Sequence, residues 1–150
     1  MAGLFLEEFV EGTVILHALR KTITESENMM FSTMTLNPQP LHIDHDFAAR
    51  SEWGRPLVNS MLTLGLMVGI SVHETTLGTL VGNLGMTETV FPHPVFHGDT
   101  IRVETEVMSA RPSRSKPDRG IVEMQHRAYN QDGVLVVRCL RQAMILRRPA

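Results

Sequence analysis

Asn59-Ser60-Met61-Leu62-Thr63-Leu64-Gly65-Leu66-Met67-Val68-Gly69-Ile70-Ser71-Val72-His73 is apolar on nearly every side, with small residues at Ser60, Gly65, Gly69 and Ser71. A helix without a polar face belongs inside a protein, and small side chains let other backbone approach it closely. The stretch therefore predicts a buried central helix that the rest of the chain must cover.

Four strand-like runs follow it: Leu77 to Phe91, Thr100 to Ala110, Gly120 to Asn130 and Val134 to Leu146. Gln131-Asp132-Gly133 reads as a hairpin turn, with Gly133 free to take positive φ. Arg111 to Arg119, holding Pro112 and Pro117, reads as a longer polar hairpin loop. Upstream of the central helix, Thr13 to Thr22 predicts a first strand. Thr24-Glu25-Ser26-Glu27 matches a capping box, so a helix is expected from about Glu25 to Met34. Pro38 and Pro40 predict an irregular loop after it. Asp44 caps a short helix reaching Arg50, and Trp53-Gly54-Arg55-Pro56 forms a turn. One strand, helical segments and then antiparallel strands describe an α+β domain with a long helix against one sheet. Such a sheet keeps a face or an edge open, so a homodimer or higher homo-oligomer is expected.

With 150 residues, one domain spanning 1–150 is expected, large enough to fold without staples. Hydrophobic residues make up 43% and charged residues 20%, and the net charge is −2. That balance argues against nucleic-acid and anionic-membrane partners, which call for a basic face. The single cysteine, Cys139, sits in an apolar run and reads as a small core residue. Met1 to Gly12 carries Glu7, Glu8 and Glu11 with no basic region, so no signal peptide is expected. Leu57 to Val72 is too short and too interrupted for a membrane span. A cytoplasmic location follows as the expectation.

The chemistry concentrates in Thr35-Leu36-Asn37-Pro38-Gln39-Pro40-Leu41-His42-Ile43-Asp44. A proline-stiffened loop bearing His42 suits acid/base work, because imidazole titrates near neutrality. Asn37 and Gln39 donate or accept hydrogen bonds without changing charge. Taken alone, the same residues also fit a structural reading, with Asn37 and Asp44 as caps and His42 as a satisfied turn residue.

This stretch resembles the MaoC-like, R-specific enoyl-CoA hydratase motif, Asp-x-Asn-Pro-x-His-x-Asp. Aligned on His42, Pro40 and Asp44 match, Gln39 replaces the motif Asn and Asn37 replaces the motif Asp. A second alignment places Asn37-Pro38 on Asn-Pro, with two residues inserted before His42 and Thr35 at the Asp position. Neither supplies a carboxylate upstream of His42. Trp53 to Leu62 is similar to the family's Phe-Gly-x-x-Ile-Ala-His-Gly-Met-Leu, and Phe91 to Ile101 to its Phe-x-x-Pro-Val-x-x-Gly-Asp-Thr-Leu. The three segments stand in the family's order.

The resemblance implies a hot-dog fold, a curved antiparallel sheet wrapped around the central helix. It implies an acyl-CoA substrate and addition or removal of water across the α,β bond, with the site near a dimer interface. His42 and Asn37 are the catalytic candidates. Gln39, Arg55, Asn59, Ser60 and Met61 are the substrate-binding candidates, one amide near Ser60 and Met61 serving as oxyanion donor. Asn-x-Gln-Pro-Leu-His looks closest to hydratases of short branched or dicarboxylic acyl-CoAs, of the mesaconyl- or itaconyl-CoA type. No cofactor is implied. His42, His45, His93 and His97 lack the paired spacing of a zinc site, so no metal is expected. The competing readings are a hot-dog thioesterase and a non-catalytic acyl-CoA-binding or regulatory subunit. Arg111 to Arg119 reads as a solvated hairpin or as a contact for nucleotide phosphates.

Overall fold

A computed structural model describes residues 3–149. The central helix is α4 (Ser60–Thr75), with Asn59 as its N-cap. Its buried residues, Thr63, Met67, Ile70, Ser71 and Thr75, recur at helical spacing and form one face. The sequence predicts burial on nearly all sides, yet Met61, Gly65 and Gly69 are exposed on the other face. One sheet covers one side of a helix, and this chain offers α4 no second cover.

The sheet is antiparallel, in the order β1-β4-β5-β6-β3, with β2 also paired to β4. Its long strands are β3 (Leu80–Val90), β4 (Thr100–Pro112), β5 (Arg119–Tyr129) and β6 (Leu135–Leu146). Buried and half-buried residues alternate along β4 and β5, as expected of strands with one face on a core. The Asn130 side chain closes the β5–β6 turn by accepting from the Asp132 and Val134 amides, and Gly133 takes φ 77°.

The expected first strand is broken into β1 (Val14–Leu16) and β2 (Lys21–Thr22). Both pair with β4. The break falls at His17, whose side chain turns inward to bond Glu74 and Thr105. The His17 amide still donates to Val103 O on β4, and the chain leaves the sheet one residue later, where Ala18 N turns to Glu74 Oε1 at 3.2 Å.

Two apolar clusters fill the interior. One gathers Ile23, Val58, Met67, Ile70, Val95, Ile101 and Val103 with the end of the β5–β6 hairpin. The other gathers Leu6, Phe9, Val107, Val122, Met124, Ala143 and Ile145 at the opposite end of the sheet. This helix-in-sheet arrangement is the hot-dog fold.

Candidate active site

Three short helices stand beside the N-terminal end of α4. α1 (Glu25–Met34) starts with the expected capping box: Thr24 Oγ1 accepts from Glu27 N, and Glu27 Oε2 accepts from Thr24 N at 2.8 Å. α2 (Pro40–Ile43) occupies part of the expected irregular loop. Proline at the first helical position loses no hydrogen bond and presets φ, so Pro40 opens this one-turn helix instead of forbidding it. α3 (His45–Ala49) is capped by Asp44, whose Oδ1 accepts from Phe47 N at 2.9 Å.

His42 lies on α2, half-buried, with Nδ1 3.0 Å from Leu57 O. A carbonyl only accepts, so Nδ1 carries the hydrogen and Nε2 keeps its lone pair. The ring is thereby fixed in the tautomer a general base needs, and its partner Leu57 stands three residues before the start of α4.

Asn28 holds this region together from α1. It is fully buried. Its Oδ1 accepts from Asn59 N at 2.8 Å. Its Nδ2 lies 2.9 Å from Leu57 O, 3.0 Å from His97 Nε2 and 3.2 Å from His42 O, sharing two hydrogens among three acceptors. One amide therefore ties the His42 turn, the entry to α4 and the His97 loop. Nothing in the sequence marks it: an Asn within an amphipathic helix reads as a surface residue, and burial alone reveals the role. Burial holds the His97 imidazole below its usual pKa. Glu25 opposes that shift and His45 adds to it.

The other candidates fall into two groups. Asn37 Oδ1 accepts from Gln39 N at 3.1 Å and so shapes the approach to α2. Asn59 is buried and committed to the fold: Oδ1 caps Met61 N at 3.0 Å and Nδ2 donates to Ser32 Oγ at 3.3 Å. The Met61 amide is thus spent. Ser60 N, at the first helical position, has no acceptor among the described residues. Of the two candidate oxyanion amides, the geometry leaves Ser60. Gln39 and Arg55 are exposed, and the Arg55 guanidinium stacks 3.7 Å from the centre of the Phe96 ring.

A cavity of about 240 Å³ opens at this end of α4, lined by Trp53, Leu57, Ser60, Thr63, Phe91 and Val136 among others. His93 stands on its rim with Nδ1 donating to Leu135 O. Glu25, His45 and His97 each bring one possible ligand atom within 4.8 Å of the others. His45 Nε2 already meets Glu25 Oε1 at 2.6 Å, and His97 Nε2 meets Asn28.

Mesaconyl-CoA hydratase of Cereibacter sphaeroides is 29% identical over 98% of this chain, which spans 42% of that relative's length. The (R)-specific enoyl-CoA hydratase of Aeromonas caviae is 32% identical, covering 79% of this chain and 84% of that protein. Among solved structures, the MaoC-like dehydratase from Rhodospirillum rubrum superposes with a TM-score of 0.85 at 31% identity, covering 99% of this chain and all of that one. The family model described as the MaoC like domain matches residues 8–130. The motif at His42, the helix in its curved sheet and that match agree, and the chain belongs to the MaoC-like domain family.

Proposed function

We propose that the protein hydrates an enoyl-CoA, or in reverse dehydrates a 3-hydroxyacyl-CoA, with His42 as acid and base. The observation that carries this reading is the fixed tautomer of His42, its Nδ1–H held by the carbonyl of Leu57, a residue that lines the same cavity as Ser60. In hydration, His42 Nε2 takes a proton from water as the water oxygen bonds the β-carbon. The same nitrogen returns the proton to the α-carbon. The thioester oxygen gains charge between these events, and the Ser60 N–H with the positive end of α4 stabilises it. Asn37 is neutral, so its role is to orient the water, and the proton transfers fall to His42.

The relatives named for mesaconyl-CoA and enoyl-CoA hydration support this class. The substrate we favour is a short branched or dicarboxylic acyl-CoA. Arg55, exposed near the cavity, suits a substrate carboxylate or a CoA phosphate. The reaction needs no metal or cofactor. A thioesterase would need a carboxylate on α4, and the helix has none before Glu74. His17 and Ala18 N already bind Glu74. The working unit we propose is a homodimer. Its evidence is the open Met61, Gly65 and Gly69 face of α4 and the edge strand β3, where Leu80, Val81, Leu84, Met86 and Val90 are exposed. No helix among the described residues is long and apolar enough to cross a membrane.

The test is turnover of crotonyl-, mesaconyl- and itaconyl-CoA, followed by loss of the conjugated double bond. His42→Ala should lower kcat/KM by about 10²–10⁴, and Asn37→Ala should lower it less. Turnover unchanged by His42→Ala would refute the assignment. Release of free CoA would identify a thioesterase, and binding without turnover a non-catalytic subunit.

A further inference from the structure

The C-terminal half of α4 meets a polar seam that this reaction does not use. It begins at Glu74, whose Oε2 lies 2.9 Å from His17 Nδ1. His17 Nε2 is 2.7 Å from Thr105 Oγ1, and that oxygen is 2.7 Å from His126 Nδ1. Thr105 and His126 are fully buried and face each other in register across β4 and β5. On the next strand His126 faces Cys139, and Arg141 lies two residues further along the same buried face. Diagonal neighbours of this kind stand about 7–8 Å apart, within reach of an arginine.

Arg141 is 1% exposed, and its Nε donates to Asn83 Oδ1 at 2.8 Å. None of the ion pairs among the described residues includes it. Its Nη1 and His126 Nε2 are both buried without a hydrogen-bond partner. A buried cation with only a neutral partner is costly, so the seam has to supply the compensation.

One proton sets the direction of both Thr105 bonds. With His17 neutral, Nδ1–H donates to Glu74 and Nε2 is a lone pair. Thr105 donates to that lone pair and accepts from His126 Nδ1–H, which leaves His126 Nε2 as an acceptor on the Arg141 side. All donors then point from Arg141 toward Glu74, and the two opposite charges offset each other through the chain. With His17 protonated, Nδ1–H still donates to Glu74, but Nε2–H now donates to Thr105 and both Thr105 bonds reverse. Thr105 donates to His126 Nδ1, and His126 presents an Nε2–H on the same side as Arg141 Nη1–H. Two donors now lack an acceptor, and the seam holds one more positive charge.

We propose that protonation of His17 creates a binding site for a small monovalent anion of chloride size between His126 Nε2 and Arg141 Nη1. The charged and titratable groups around the seam are Glu74 from α4, His126 from β5, and Arg141 and Cys139 from β6. β4 contributes Thr105 and β3 contributes Asn83, both uncharged. Burial, reinforced by Arg141 and His17, pushes the His126 pKa down to about 3. Glu74 is the one carboxylate on the seam and His17 Nδ1 lies beside it, so His17 is the imidazole at which an added positive charge has a partner.

The experiment is thermal unfolding of the full chain at constant ionic strength, with chloride exchanged for gluconate, between about pH 5 and about pH 8. At the acid end, chloride at about ten times its dissociation constant should raise the midpoint by about 4 °C. At the alkaline end the two salts should agree. Thr105→Val cuts the relay and should abolish the pH dependence of the chloride effect. Arg141→Met should remove the effect altogether. Should that variant fail to fold, crystals of the unaltered protein soaked in bromide at acid pH decide the matter by an anomalous peak between His126 and Arg141. Equal midpoints in chloride and gluconate at acid pH, a Thr105→Val protein that keeps the full pH dependence, or no bromide peak would each overturn the proposal.

Discussion

Ser60 offers a clean separation of chemistry from folding. It stands at the first helical position, where its N–H serves no bond of the helix. Proline is tolerated at that position, and Asn59 before it already has φ −57° and ψ 125°, which a following proline favours. Ser60→Pro should leave the circular dichroism spectrum and unfolding midpoint nearly unchanged while lowering kcat by about 10²–10³. Full activity in that variant would remove the Ser60 amide from the mechanism. Asn28 is the opposite case, because fold and site share it. Asn28→Leu leaves the buried Asn59 amide without an acceptor and the Leu57 carbonyl with His42 Nδ1 alone, and should cost about 1–3 kcal/mol in denaturant unfolding. Stability within experimental error of the unaltered protein would count against the role given to Asn28. His42 stood out in the sequence because histidine in a stiff loop is chemically conspicuous. Asn28 did not, since its importance comes from burial and from partners 14, 29, 31 and 69 residues away.

Among the elements, α1 was fully legible. Its bounds follow from a local rule, the reciprocal bonds of Thr24 and Glu27. Thr24 and Lys21 contacts lower the Glu27 pKa from 4.5 to about 2, the Lys21 bond contributing most. Its folded-state pKa is thus depressed, so the stabilisation is present above about pH 4.5 and is lost as pH falls toward about 2. Glu27 is 38% exposed, so screening holds the benefit below about 1 kcal/mol. Glu27→Gln should be slightly less stable than the unaltered protein at neutral pH and match it near pH 2. Urea midpoints across that range measure this, and a constant difference would exclude the ionised pair as its source. The first strand and α2 were less legible for related reasons. The first strand ends after His17 because the Ala18 amide and the His17 ring both turn to Glu74, 56 and 57 residues away. Pro40 is a breaker by composition but a helix starter by position.

At the scale of the whole molecule, the central helix was found correctly, but its all-round burial was not. The sequence did not reveal that the one sheet of this chain leaves the far apolar face of α4 open, the face on which the proposed second copy would pack. Gly65 separates the two: a Cβ there meets nothing within 4 Å in the protomer. Gly65→Leu should add up to about 1 kcal/mol of helix propensity while weakening a dimer that packs on this face. Sedimentation velocity should show a higher monomer fraction than for the unaltered protein. An unchanged dimer would move the interface elsewhere, β3 being the first alternative.

The seam from Glu74 to Arg141 also bears on how the protein opens. It separates the cluster near the site from the cluster around Leu6 and Phe9. Apolar contact makes neighbouring segments open together, and hydrogen bonds alone couple them less tightly. The two clusters are therefore expected to open as separate blocks, the one around Leu6 exchanging its amides with solvent while the site stays closed. Native-state hydrogen exchange should release Val122 and Met124 at a lower opening free energy than Val103 and Ala128. A single opening energy for all four amides would mean that the seam binds the two blocks into one.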